Sequence, residues 1–72
     1  MEFSSALMYL CKVKNATCRR TGWGESAKHV YLLNSAKRGD SLILVNEAGG
    51  EQMFILSLDD QLALDWTTFQ NH

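Results

Sequence analysis

The segment Ser41–Val45 limits the folds open to this chain more than any other. In an extended strand Leu42 and Leu44 project to one side while Ile43 and Val45 project to the other, so neither side is polar. Gln52–Leu58, across a turn that holds Gly49 and Gly50, repeats the conflict, with Phe54 and Leu56 opposed to Ile55. A hairpin that is apolar on both sides needs cover on both sides. One cover is predicted near the N-terminus, where Phe3, Ala6, Leu7 and Leu10 recur at the i, i+3, i+4, i+7 spacing of a helix face. We read Ser4–Lys12 as that amphipathic helix, with Ser4 or Ser5 available to cap its start. A single short helix covers one face of a small sheet, and the other is expected to be closed by a second subunit. Length points the same way. A chain of 72 residues and 8.1 kDa folds to about 4,500 Å² of surface from roughly 11,700 Å², burying about 60%. That fraction is marginal for a monomer, and with 46% hydrophobic residues a homo-oligomer is the expected remedy.

Between these elements, Asn15 suits a turn that ends the helix, and Thr17–Arg20 is compatible with a short strand ended by Gly22. Gly22–Ser26 reads as a loop, His29–Leu33 as a strand, and Ser35–Asp40 as a polar connection. Toward the C-terminus Ser57-Leu58-Asp59-Asp60 resembles a capping box with Asp in place of Glu, and Leu58, Leu62, Ala63 and Trp66 fit one or two helical turns. The tail Thr67–His72 is polar apart from Phe69. The expected fold is α+β, one domain over 1–72, with an N-terminal amphipathic helix on a small antiparallel sheet and a short C-terminal helical turn.

Several function classes are disfavoured. Seven Lys and Arg against eight Asp and Glu give a formal charge of -1, without the overall basic field of a nonspecific nucleic-acid or anionic-membrane binder. Apolar runs such as Leu42–Val45 fall far short of the roughly 20 residues that cross a bilayer, so a soluble, non-exported protein is expected. Cys11 and Cys18 lack the spacing of a zinc knuckle or redox pair, and neither a metal nor a cofactor is predicted. No nucleophile-and-base motif is present, so an enzyme is not expected. Asp59 and Asp60, at the start of a short helix, read as capping groups before they read as acid-base catalysts.

A more suggestive set is Arg19, Arg20, Trp23, Tyr31 and Trp66. Planar aromatic rings beside guanidinium groups are what a purine and its phosphates require. The alternative is structural, since tryptophans in a small domain are commonly core or interface residues. On a strand the two arginines also face opposite ways, Arg20 with Gly22 and Arg19 with Thr17 and Thr21. Composition and spacing support a small oligomeric module that binds a ligand or a protein, and they do not choose between the two.

The order of the motifs carries a resemblance. Phe3-Ser4-Ser5-Ala6-Leu7 with Lys12-Val13-Lys14, then Arg19-Arg20-Thr21-Gly22-Trp23, then Val30-Tyr31-Leu32, then Asp60-Gln61-Leu62-Ala63-Leu64-Asp65-Trp66 resembles the second type of phage Thoeris anti-defence protein. The resemblance implies a phage-encoded α+β homo-oligomer, dimer or tetramer, acting in the host cytoplasm. It implies a sponge that sequesters a cyclic nucleotide immune signal without degrading it. The signal would be a cyclic ADP-ribose isomer such as glycocyclic ADP-ribose, and some similar proteins also hold cyclic dinucleotides. By the same resemblance Trp23 would stack the adenine, Trp66 corresponds to the family's second aromatic, and Arg20 would pair with the diphosphate. Asp65 would accept from ribose hydroxyls or cap structure, and Tyr31 is carried as a further ligand-binding candidate. No metal or cofactor is implied.

Two departures stand out. The family follows Gly-Trp with Asn-Gly, whereas Gly24-Glu25 follows Trp23 here, placing a carboxylate where phosphate is expected nearby. The middle, Asn34–Gln52, is short and lacks an insert that many relatives carry. A second reading, from another class, is a small phage protein that inhibits a host protein by direct binding, with Trp23 and Trp66 as anchors.

Overall fold

The computed structural model describes residues 1–35 and 39–70, and its elements follow from where apolar side chains alternate. Helix α1 spans Phe3–Lys12 and buries Phe3, Ala6 and Leu10, three of the four residues that spacing assigns to its inner face. Neither serine caps it. Glu2 occupies the cap position without a side-chain bond to the backbone, and Ser4 Oγ instead lies 3.4 Å from the Glu2 carboxylate. Lys12 in the last turn complements the negative end of the helix dipole. The chain then reverses at Asn15, whose φ of 59° is a conformation asparagine tolerates better than most residues.

Strand β1 (Ala16–Arg20) runs into a single 3-10 turn (Thr21–Trp23) that occupies the start of the expected loop. Strand β2 (His29–Ser35) extends two residues beyond the sequence reading and pairs with β3 (Gly39–Val45) along its full length, from His29↔Val45 to Ser35↔Gly39. Both ends of the expected polar connection Ser35–Asp40 are therefore strand, and its centre, 36–38, lies outside the described residues. Strand β4 is only Glu51–Met53, shorter than the predicted Gln52–Leu58, although Phe54 N still donates to Leu42 O at 2.8 Å. Asn46 closes this hairpin, its Oδ1 accepting from the backbone of Ala48 at 3.0 Å and Gly50 at 2.9 Å.

The C-terminal region departs most from expectation. Helix α2 covers Leu58–Leu62, with Ser57 Oγ accepting from Asp60 N as the capping box implies. Trp66 does not continue it. Trp66–Gln70 forms strand β5, and the stretch read as a polar tail is a sheet edge. All pairings are antiparallel in the order β4-β3-β2-β1-β5, with Arg20↔Trp66, Cys18↔Thr68 and Ala16↔Gln70 in register. Residues opposite one another share a face, so Cys18, Val30, Leu44 and Trp66 point together under α1. Each large side chain buried there contributes about 1.5–3 kcal/mol.

The other face has no covering element among the described residues. Across it runs the row Met53, Ile43, Tyr31, Thr17 and Phe69, with Met53 67% and Phe69 49% exposed. The chain exposes 5054 Å², above the ~4,500 Å² typical of its mass. No helix among the described residues is long and apolar enough to cross a membrane.

Cys18 is wholly enclosed, and burial pushes its thiol from the ordinary 9.0 up to about 12. The folded state thus holds the proton that the unfolded state releases. Its stabilising influence is complete below pH 9.0 and is lost as pH rises toward about 12. With a thiol reagent at pH 8 the native protein is expected to label at exposed Cys11 alone, and at both cysteines in denaturant. Rapid labelling of two thiols in the native state would contradict the enclosed position of Cys18.

Candidate functional site

The five residues singled out from sequence divide between the two faces of the sheet. Arg20, Trp23, Asp65 and Trp66 gather at one end of β1 and β5 on the helix-covered side, whereas Tyr31 lies on the open side. Parity decides this, because Val30 points inward and its neighbour must point out. Tyr31 donates through its hydroxyl to Glu51 Oε1 at 2.6 Å, and that bond, with some burial, holds the phenol above its usual range.

Arg20 is engaged on two sides. Its Nε donates to Asp65 Oδ1 and its Nη1 to Asp60 Oδ1, each at 2.9 Å. The bonds to Asp65 and then Asp60 raise the guanidinium pKa, and Arg20, followed by the Gly22 amide, holds the Asp65 carboxyl below the usual carboxylate range. One guanidinium between two carboxylates leaves a local excess of negative charge. A diphosphate approaching Arg20 meets that field of two carboxylates.

Asp65 also organises the backbone. Its carbonyl oxygen accepts from Thr21 N at 3.0 Å, and its Oδ2 accepts from Gly22 N at 2.8 Å and from Thr21 Oγ1 at 3.4 Å, capping the 3-10 turn. A Cβ at position 22 would fall 2.9 Å from that oxygen, which is why glycine stands there. Of the two roles weighed for Asp65, the structural one accounts for its bonds in this chain. The paired Thr-Gly-Trp and Asp-Trp motifs act as a latch between β1 and β5.

Trp66 forms the floor. Fully buried, it packs edge-on to Phe3 at 4.9 Å, Trp23 at 5.5 Å and Phe54 at 6.2 Å, and its Nε1 donates to Asp60 O at 2.9 Å. It offers no free ring face to a base in this chain. Trp23 differs, being partly exposed, with the Lys28 ammonium 4.7 Å from its ring centroid. Glu25, the departure after Gly24, is exposed.

Two concavities flank β1. The larger, about 880 Å³, lies near its start, away from Trp23 and Trp66, and is lined by Lys12, Lys14, Asn15, Tyr31 and Asn34 among others. The smaller, about 400 Å³, opens beside Arg19, Lys28, His29 and Phe69. Sequence reasoning missed Asp60 as a partner of Arg20 and Gly22 as a partner of Asp65, and left Lys28, His29 and Phe69 aside. Strand alternation carried a signal for Arg19 alone, by separating it from Arg20. Among the described residues no three His, Cys, Asp or Glu side chains gather into a metal-holding group.

The depressed Asp65 carboxyl stabilises the fold at neutral pH. Because its folded value lies below the ordinary 3.8, that contribution is full above 3.8 and disappears as pH falls through the lowered folded value. Thermal unfolding followed from pH 7 to pH 2 should therefore show an acid limb that Asp65→Asn flattens, with a lower midpoint for the variant at pH 7. An identical acid limb in wild type and variant would contradict the latch.

The model of the family described as Thoeris anti-defense 2-like domain matches residues 1–69 of the 72. No curated protein matches the chain. The match spans α1, strands β1–β4, β5 up to Phe69 and both halves of the latch, and it accords with the order of motifs read from sequence. This chain belongs to the Thoeris anti-defense 2-like family, and that membership supports a role in anti-defence against Thoeris.

Proposed function

We propose that the protein is a phage-encoded sponge that binds a cyclic nucleotide immune signal and withholds it from its effector without degrading it. The signal is a cyclic ADP-ribose isomer such as glycocyclic ADP-ribose, and the setting is the host cytoplasm. The observation that carries this reading is the family match over residues 1–69, nearly the whole chain.

Asp60 and Asp65 are engaged by Arg20, and Ser57 caps α2, which accounts for these polar groups structurally and leaves Trp23 as the part of the site that supports binding. Of the two tryptophans, Trp23 is the one with surface left to meet a base, and stacking contributes about 1–3 kcal/mol. A sponge that competes with a sensitive effector needs a dissociation constant near nanomolar, about -12 kcal/mol. One ring and one cation fall short of that. A pocket enclosed between subunits reaches it, because it removes water from the phosphates and fixes the donors beforehand.

A homo-oligomer is part of this proposal. The uncovered sheet face supports it, as does the exposed apolar surface of Ile55, Leu58, Leu62 and Leu64, each more than two-thirds exposed. That same surface favours the second reading, inhibition of a host protein by direct contact. The two readings part on ligand response.

With a cyclic ADP-ribose isomer at about 100 times its dissociation constant, the native state should gain ~2.7 kcal/mol and the unfolding midpoint should rise by roughly 10–20 °C. Trp23→Ala is expected to lose most of that shift while keeping a dimeric or tetrameric native mass. A panel of cyclic ADP-ribose isomers and cyclic dinucleotides that moves neither the midpoint nor the mass would contradict sequestration and favour the host-protein reading.

A further inference from the structure

The sheet ends in two edges of different character. At one of them, β4 has only three residues and carries Glu51. Shortness and charge are the usual protections of a free edge. At the other, β5 runs for five residues, Trp66-Thr67-Thr68-Phe69-Gln70, with no charge and no proline or glycine to interrupt pairing. Its aromatic and β-branched residues favour the extended conformation that a further strand requires.

Backbone direction along β5 follows from its bonds. Asp65 O accepts from Thr21 N, so in this register Thr67 and Phe69 also turn their N–H and C=O toward β1. Those of Trp66, Thr68 and Gln70 turn outward. Trp66 is already engaged, its N donating to Met1 O at 3.2 Å and its O accepting from Met1 N at 3.0 Å. Among the described residues no backbone bond outside the ladder reaches Thr68 or Gln70, and Gln70 is held in place by its side chain, which donates to Lys14 O at 3.4 Å. A row of unpaired backbone groups is a template for another strand. Phe69, between the two, is 49% exposed on the uncovered face.

We propose that this edge pairs with the same strand of a second copy, antiparallel across a two-fold axis at Phe69. The bonds between Met1 and Trp66 select that centre. An axis at Thr68 pairs Trp66 with Gln70 of the partner subunit and has to displace Met1, whereas an axis at Phe69 pairs Thr68 with Gln70 of the partner subunit on each side. Phe69 then lies about 4.5 Å, Cα to Cα, from Phe69 of the partner subunit, in the non-hydrogen-bonded position where side chains approach most closely. Charge favours a copy of this chain as the occupant. Thr67, Thr68, Phe69 and Gln70 face themselves across the axis without opposing like charges, which β4 with Glu51 or α2 with Asp59 and Asp60 cannot do. The two five-stranded sheets become one, and their uncovered faces join side by side. The inference rests on the homo-oligomer part of the proposed function and is independent of ligand binding.

The test combines native mass with amide hydrogen exchange on the protein without ligand. The outward amides of Thr68 and Gln70 should exchange slowly in the oligomer and at least about tenfold faster once dilution gives the monomer. Thr68→Pro removes an N–H that the β1 ladder does not use, and Phe69→Lys sets two ammonium groups against each other at the axis. Each should weaken association by roughly tenfold to a hundredfold. With Cys11→Ser in the background, Phe69→Cys should form a disulfide-linked dimer under mild oxidation, since directly opposed residues lie within disulfide reach. Thermal unfolding checks that the variants remain folded. An oligomer whose Thr68 and Gln70 amides exchange freely, and whose mass survives both Thr68→Pro and Phe69→Lys, overturns the edge pairing and leaves a homo-oligomer built through another surface. A chain that is monomeric at every concentration overturns the pairing and the homo-oligomer together, whatever its response to nucleotides. Protection of these amides that appears only when a host protein is added assigns the edge to a foreign strand and overturns self-pairing.

Discussion

Trp66 is where the two ends of the chain meet, and most of the fold depends on its enclosure. Phe3 from α1, Trp23 from the 3-10 turn and Phe54 beyond β4 pack around it edge-on, and its indole nitrogen is satisfied by Asp60 O. Met1 O accepts from its backbone nitrogen at 3.2 Å, so the first residue is tied to the start of β5. Truncating such a ring costs about 3–5 kcal/mol. A domain of 72 residues has a total stability of roughly 4–11 kcal/mol. The tryptophan is thus a condition of folding, and a role in direct contact with ligand falls to residues around it.

Charge is arranged on the same logic. Arg20 is neutralised by Asp60 and Asp65 and is committed to joining β1, α2 and the approach to β5. Arg19, one residue earlier, is carried by strand alternation to a face without such partners. A chain with a net charge of -1 thus places two adjacent arginines in opposite settings, one held by two carboxylates and one with no carboxylate partner among the described residues. Local placement, and not total charge, decides what an anion meets.

The parts of the fold that depend on local pattern were legible in the sequence. Apolar spacing located α1, turn chemistry located Asn15 and the Asn46–Gly50 hairpin, and Ser57 with Asp60 announced the start of α2. Strand β5 was hidden, because Leu58, Leu62, Ala63 and Trp66 also fit a helix, and the pairing that makes Trp66 a strand residue lies 46 positions away at Arg20. The site was obscured for the same reason. Arg20 beside Trp23 has the composition of a nucleotide pocket until Asp60 and Asp65 arrive from the other end of the chain. Tyr31 was separable in principle, since buried Val30 fixes the outward direction of its neighbour. The family resemblance, which depends on motif order, needed no knowledge of side-chain direction.

The most direct measurement is recovery of the signal. A cyclic ADP-ribose isomer that activates the effector is mixed with the purified protein, the protein is removed by filtration, and the filtrate is offered to the effector; the retained protein is then heated and its released contents are offered in turn. Sequestration predicts a silent filtrate and an active release, with the nucleotide chemically unchanged. An active filtrate, or a silent filtrate whose nucleotide is recovered in altered form, would contradict it.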